Sequence, residues 1–197
     1  GMTVPLKGSG IELSLKAGKL LANTVLSIKD GVFTTENLWS YQYRYFTMLG
    51  NKFVIIDAAR SFLTHFSPET VDAMDGALKT LIKHYNLKKV ELVGYSGGGA
   101  MAVLLAQRNQ GKVTKVTTVA GVLNHADWTA HFGDSPLDGS VNAAFALKEI
   151  SKIPQVHYAG GKDDVVPLSL TEKWVDKKQL VVLPNATHAK GFEAIKF

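Results

Sequence analysis

Val90-Glu91-Leu92-Val93-Gly94-Tyr95-Ser96-Gly97-Gly98-Gly99-Ala100-Met101-Ala102-Val103-Leu104-Leu105-Ala106 decides how this chain folds. Val90 to Val93 is a short apolar run with β-branched residues and reads as a buried strand. Ala100 to Ala106 is built from strong helix formers and reads as a buried helix. Between them stands Gly94-Tyr95-Ser96-Gly97-Gly98, with no linker on either side. A serine in G-x-S-x-G where a strand turns at once into a helix has the pattern of a nucleophile elbow. The glycines are expected to clear space there, since side chains beside the strained serine would strike the incoming strand and the outgoing helix. The amide of Gly97 would lie at a helix N-terminus, aimed at developing negative charge. The same glycines loosely fit a dinucleotide-binding pattern, Gly97-x-Gly99-x-x-Ala102. That reading wants an acid about 20 residues on, where the chain has Thr118-Val119-Ala120-Gly121. No Lys-Ser/Thr follows the glycines, so a phosphate loop is also excluded.

Working outward, apolar runs alternate with helical patterns. Strands are expected at 11–15, 24–28, 53–57, 113–119, 155–159 and 180–183. Helices are expected around 38–49, from Ser67-Pro68-Glu69-Thr70 to Tyr85, at 171–175 and at 189–197. The aromatic residues Trp39, Tyr41, Tyr43, Tyr45 and Phe46 read as core packing. The alternation predicts an α/β three-layer sandwich with a mostly parallel sheet and little or no cap, as one domain over residues 1–197. The long excursion 121–153 between two strands has the length of a lid or binding loop.

The composition bounds the function. A chain of 197 residues, 46% hydrophobic and 20% charged, buries a sizeable core. The net charge of +5 is spread over scattered Lys-Lys pairs rather than a stripe, which argues against nucleic acid as a partner. There is no cysteine, hence no disulfide framework and no thiol nucleophile. No apolar run reaches the 18 or so residues that cross a membrane. Read with Met2 as its start, the chain is expected to be cytoplasmic; a removed signal peptide would make it periplasmic or exported. No cofactor or metal is expected. His125, Asp127 and His131 form the one spacing considered for a cation, and such spacings are common. The oligomeric state is not legible.

A serine nucleophile needs a base, and the base needs an orienting carboxylate. In a fold of this kind the chain order is serine, acid, histidine. His188 follows the last strand in Leu183-Pro184-Asn185-Ala186-Thr187-His188, on a loop where a base belongs. His157 falls inside a strand and reads as a packed residue. The acid is expected in Gly160-Gly161-Lys162-Asp163-Asp164-Val165, directly after a strand, where catalytic groups gather in open α/β sheets. Adjacent side chains point apart, so only one of Asp163 and Asp164 can face His188. Asp163 is chosen, with Asp164 as a surface charge or a helix cap for Val165 onward, and Asp138 and Asp134 as weaker options. The second oxyanion donor is expected on Lys29-Asp30-Gly31-Val32, at the amide of Val32 or Gly31; a plain Asp-Gly turn is the alternative. Tyr95, His125 and Trp128 are expected to line the mouth of the site, with Trp128 as an apolar wall for an acyl group.

Gly94 to Ala100, the Asp163-Asp164-Val165-Val166-Pro167 loop and Thr187-His188 resemble the α/β-hydrolase superfamily. The likeness is closer to a poorly characterised group of bacterial α/β-hydrolase-like proteins, many of them exported lipoproteins. It extends over Leu123-Asn124-His125-Ala126-Asp127-Trp128-Thr129 and Ser135-Pro136-Leu137-Asp138-Gly139-Ser140-Val141-Asn142, from about residue 66 onward. The resemblance implies Ser96, Asp163 and His188 as a triad and supplies no substrate. Lys29-Asp30-Gly31 stands where the superfamily usually has His-Gly, and no lipobox cysteine is present. The reading that results is a serine hydrolase of a small carboxylic ester or thioester substrate. The alternative is a hydrolase-fold module that binds without catalysis.

Overall fold

Four short apolar stretches, each ending at a turn, pair side by side as one parallel sheet in the order β1-β2-β3-β4: β1 (Val90–Tyr95), β2 (Val113–Val119), β3 (Gln155–Gly160) and β4 (Leu180–Leu183). This computed structural model describes residues 11–29, 31–50 and 66–196. It divides into two compact units, residues 1–60 and 61–197.

In the second unit, α3 (Pro68–His84) starts as its sequence dictates. Ser67 is the N-cap, its hydroxyl accepting from the Thr70 amide, and Pro68 takes the first turn. Its buried Asp75 takes Lys79 and Asn109 as partners at 2.7 and 2.6 Å. Burial raises that carboxyl's pKa while the two hydrogen bonds lower it, and the net shift is downward. The helix α4 (Gly97–Arg108) follows β1 directly and is buried from Gly99 through Ala106. The excursion 121–153 carries α5 (His125–Phe132) and α6 (Ala144–Glu149), and α7 (Leu168–Glu172) joins β3 to β4. The sheet with these helices is an α/β sandwich.

Register explains where a site can form. Tyr95 pairs with Val119, Val119 with Tyr158, and Tyr158 with Val181. The carboxyl ends of β1, β3 and β4 therefore share one edge, the place where open parallel sheets keep their chemistry. Paired residues project to the same face, and side chains alternate along each strand. Val116, Thr118, His157 and Ala159 project to one face and are buried. Val93, Tyr95 and Val181 share the opposite face and are 48%, 49% and 39% exposed.

In the first unit, α1 (Ile11–Ser27) and α2 (Thr35–Tyr45) are helices, followed by a π-helical turn, Phe46–Gly50. Thr34 and Asn37 close a capping box at the start of α2. The strand expected at 11–15 lies within α1, as does the one expected at 24–28 except for Ile28, which follows the helix. Alternation over five residues is too short to fix a period, and the buried Leu13, Ala17 and Thr24 fall at helical spacing. The aromatic residues of α2 are not core, since no residue of that helix is buried. Their spacing of two places them around the helix rather than on one face. The strand expected at 53–57 lies outside the described residues.

Two C-terminal expectations also change. The helix expected at 171–175 overlaps α7 only at 171–172: α7 begins at Leu168, with Pro167 as its N-cap, and 173–175 form a turn. Residues 189–196 are irregular rather than helical. Gly191 takes φ 96° there, and a Cβ on it would stand 2.8 Å from Ala186 Cα. Among the described residues no helix is long and apolar enough to cross a membrane.

Candidate active site

Ser96 sits between β1 and α4 with φ 53° and ψ −125°, a conformation that costs a non-glycine residue ~1–3 kcal/mol. Three backbone hydrogen bonds hold it. Its amide donates to Val119 at 2.9 Å, and its carbonyl accepts from Gly99 at 3.0 Å and Val122 at 3.1 Å. The strand, the helix and the start of the excursion thus converge on one residue. Space around the glycines is uneven. A Cβ on Gly94 would lie 2.1 Å from the Gly98 carbonyl oxygen, whereas one on Gly98 would meet nothing within 4 Å. The steric role expected of both glycines belongs to Gly94 and not to Gly98.

His188 is 4% exposed, at the carboxyl end of β4. Its Nδ1 lies 2.9 Å from Asp163 Oδ2, and its Nε2 lies 3.1 Å from Ser96 Oγ. A carboxylate only accepts, so Nδ1 carries the proton and Nε2 presents a lone pair to the serine hydroxyl. The other oxygen of Asp163, Oδ1, accepts from the amides of Val165 and Val166 at 2.9 and 2.8 Å. Those two bonds fix the carboxylate's rotamer and stabilise its charge. Asp163 is buried, and Asp164 beside it is exposed.

The acid and base loops approach at backbone contact. Gly161 donates to Leu183, and Lys162 to Ala186, both at 2.9 Å. A Cβ on Gly160 would sit 2.6 Å from the Ala186 oxygen, and one on Gly161 2.7 Å from the Pro184 oxygen. Gly97 opens α4, so its N–H has no carbonyl four residues back to bond, and it is buried beside Ser96. Gly31, at φ 67°, and the 54% exposed Val32 belong to the first unit.

The residues expected at the mouth behave differently. Trp128 is 1% exposed, and its Nε1–H donates to the Val165 carbonyl at 2.7 Å. It is therefore a core residue, an indole finding its one partner inside the fold, and not a wall open to substrate. His125 lines a groove of about 390 Å³ with Pro136, Leu137 and Ser140, its Nε2 bonded to the Ser140 carbonyl at 3.1 Å. Burial lowers its pKa. Asp127 accepts from Trp174 Nε1 at 2.7 Å, and among the described residues no three metal-binding side chains converge. Tyr95 donates its hydroxyl to the His188 carbonyl, with the two rings 5.3 Å apart. Sequence reasoning misses the bonds made by Trp128 and Tyr95, because their partners lie 37 and 93 residues away and backbone acceptors leave no mark on a sequence.

The family model described as "alpha/beta hydrolase fold" matches residues 34–134, a span that includes Ser96 and ends before Asp163 and His188. An esterase of Pyrococcus furiosus is similar in structure, with a TM-score of 0.51, 16% identity, and coverage of 64% of this chain and 55% of that one. An α/β-hydrolase enzyme from the metagenome of sediments of the Mar Chica lagoon, Morocco, aligns with a TM-score of 0.48, 18% identity, and coverage of 60% and 61%. A meta-cleavage product hydrolase from Pseudomonas fluorescens aligns with a TM-score of 0.47, 16% identity, and coverage of 60% and 64%. The chain thus spans less than two thirds of the length of each of these structures.

Proposed function

The chain belongs to the α/β-hydrolase fold family, and from that premise we propose that it is a serine hydrolase of a small carboxylic ester or thioester. The observation that carries this reading is the hydrogen-bonded line Ser96–His188–Asp163 at the carboxyl edge of a parallel sheet, with the serine on a strained turn.

In this mechanism Ser96 Oγ attacks the substrate carbonyl carbon while its proton passes to His188 Nε2. Asp163 keeps the other ring nitrogen protonated and stabilises the imidazolium that forms. Negative charge on the carbonyl oxygen is met by the Gly97 N–H at the positive end of α4. Collapse of the tetrahedral species expels the alcohol or thiol, which takes the proton from His188, and leaves an acyl group on Ser96. Water, deprotonated by the same nitrogen, then attacks the acyl-enzyme and restores the serine.

The test is labelling with a fluorophosphonate probe alongside hydrolysis of chromogenic esters of graded acyl length. The unmodified protein is expected to label and turn over short esters, and Ser96→Ala to do neither. Equal labelling of both proteins would overturn the assignment.

A further inference from the structure

We propose that Tyr95 is a positioning residue that sets the distance between nucleophile and base through the backbone carbonyl of His188; this rests on the hydrolase reading above. The acid and the base have their own connection. Their loops leave the neighbouring strands β3 and β4, and the bonds Gly161 to Leu183 and Lys162 to Ala186 tie one to the other. Ser96 lies at the end of β1, with β2 between it and β3. Among the described residues no sheet hydrogen bond runs from β1 to the loop that carries His188.

Tyr95 spans that gap. It is the residue before Ser96, on β1, and its hydroxyl donates to the main-chain oxygen of His188. Its ring lies 5.3 Å from the imidazole with the planes 41° apart. One side chain therefore holds the base residue at its backbone and flanks its ring, while the next residue along the chain presents the nucleophile. The hydroxyl is the tyrosine's only polar handle, and it is used on the protein. Ser96 and His188 stand 3.1 Å apart, and a displacement of about 1 Å in such a pair costs up to about a hundredfold in rate. A tether that limits drift of the base loop relative to β1 thus acts on kcat, not on substrate affinity.

Tyr95→Phe removes the hydroxyl and keeps the ring, while Tyr95→Leu removes both. Steady-state kinetics on a chromogenic ester, normalised to sites counted by fluorophosphonate titration, read only folded enzyme. The expected result is a kcat about tenfold lower for Tyr95→Phe with KM within twofold, and a lower kcat still for Tyr95→Leu. Retention of kcat within twofold in Tyr95→Phe overturns the proposal. So does a rise in KM at constant kcat, which makes Tyr95 a wall of the substrate site, and so does a loss that disappears on normalisation, which makes its role structural. Absence of labelling and turnover in the unmodified protein overturns the hydrolase reading and this role together, and is seen before any substitution is made.

Discussion

At Ser96 strain and packing meet, and the surrounding atoms decide which neighbours can change. The serine's φ and ψ persist because its amide and carbonyl are bonded to β2, to α4 and to Val122. Gly94 and Gly98 flank it at equal spacing yet differ in what they face. A methyl group on Gly94 would lie 2.1 Å from a backbone oxygen, and no side-chain rotation relieves a clash with main chain. Gly94→Ala is expected to lose fluorophosphonate labelling and to lower stability by at least ~1–3 kcal/mol, the usual cost of overpacking. Gly98→Ala adds a methyl group in open space within a helix. It is expected to keep full activity and to gain up to about 1 kcal/mol from the smaller backbone entropy of alanine. Thermal melts with labelling of both variants check this, and a Gly98→Ala enzyme as impaired as Gly94→Ala would refute it.

The central strands carry a polar pair that ties stability to pH. Thr118 on β2 and His157 on β3 are register partners on the buried face. The threonine hydroxyl donates to His157 Nδ1 at 2.8 Å, and His157 Nε2–H donates to Gln155 Oε1 at 3.2 Å. Gln155 in turn donates to the Ile150 carbonyl. Every polar atom of the ring is therefore bonded in the neutral form. Burial lowers the His157 pKa from 6.5 to about 4. Between those values the unfolded chain holds a proton that the folded chain lacks, so stability is full above pH 6.5 and falls as the pH drops toward 4. A shift of that size corresponds to about 3 kcal/mol. His157→Gln, which cannot titrate, is expected to show a flatter change of urea midpoint between pH 7.5 and 4.5 than the unmodified protein. Parallel slopes would assign the acid sensitivity to other groups.

Across the whole molecule, legibility follows the range of the physics involved. The strands β1 to β4 and helices α3 and α4 are readable because apolar runs, caps and turn residues are local signals. The positions of Asp163 and His188 are readable because loops after parallel strands share one edge, a rule of topology rather than of neighbours. The period of α1 is ambiguous in five alternating residues, and the burial of Trp128 depends on a carbonyl far along the chain. The Gly97 amide proposed for the oxyanion is legible for the same local reason as the nucleophile. The residue after Ser96 opens α4, so the strand-turn-helix pattern that marks the serine also places an N–H at the positive end of a helix.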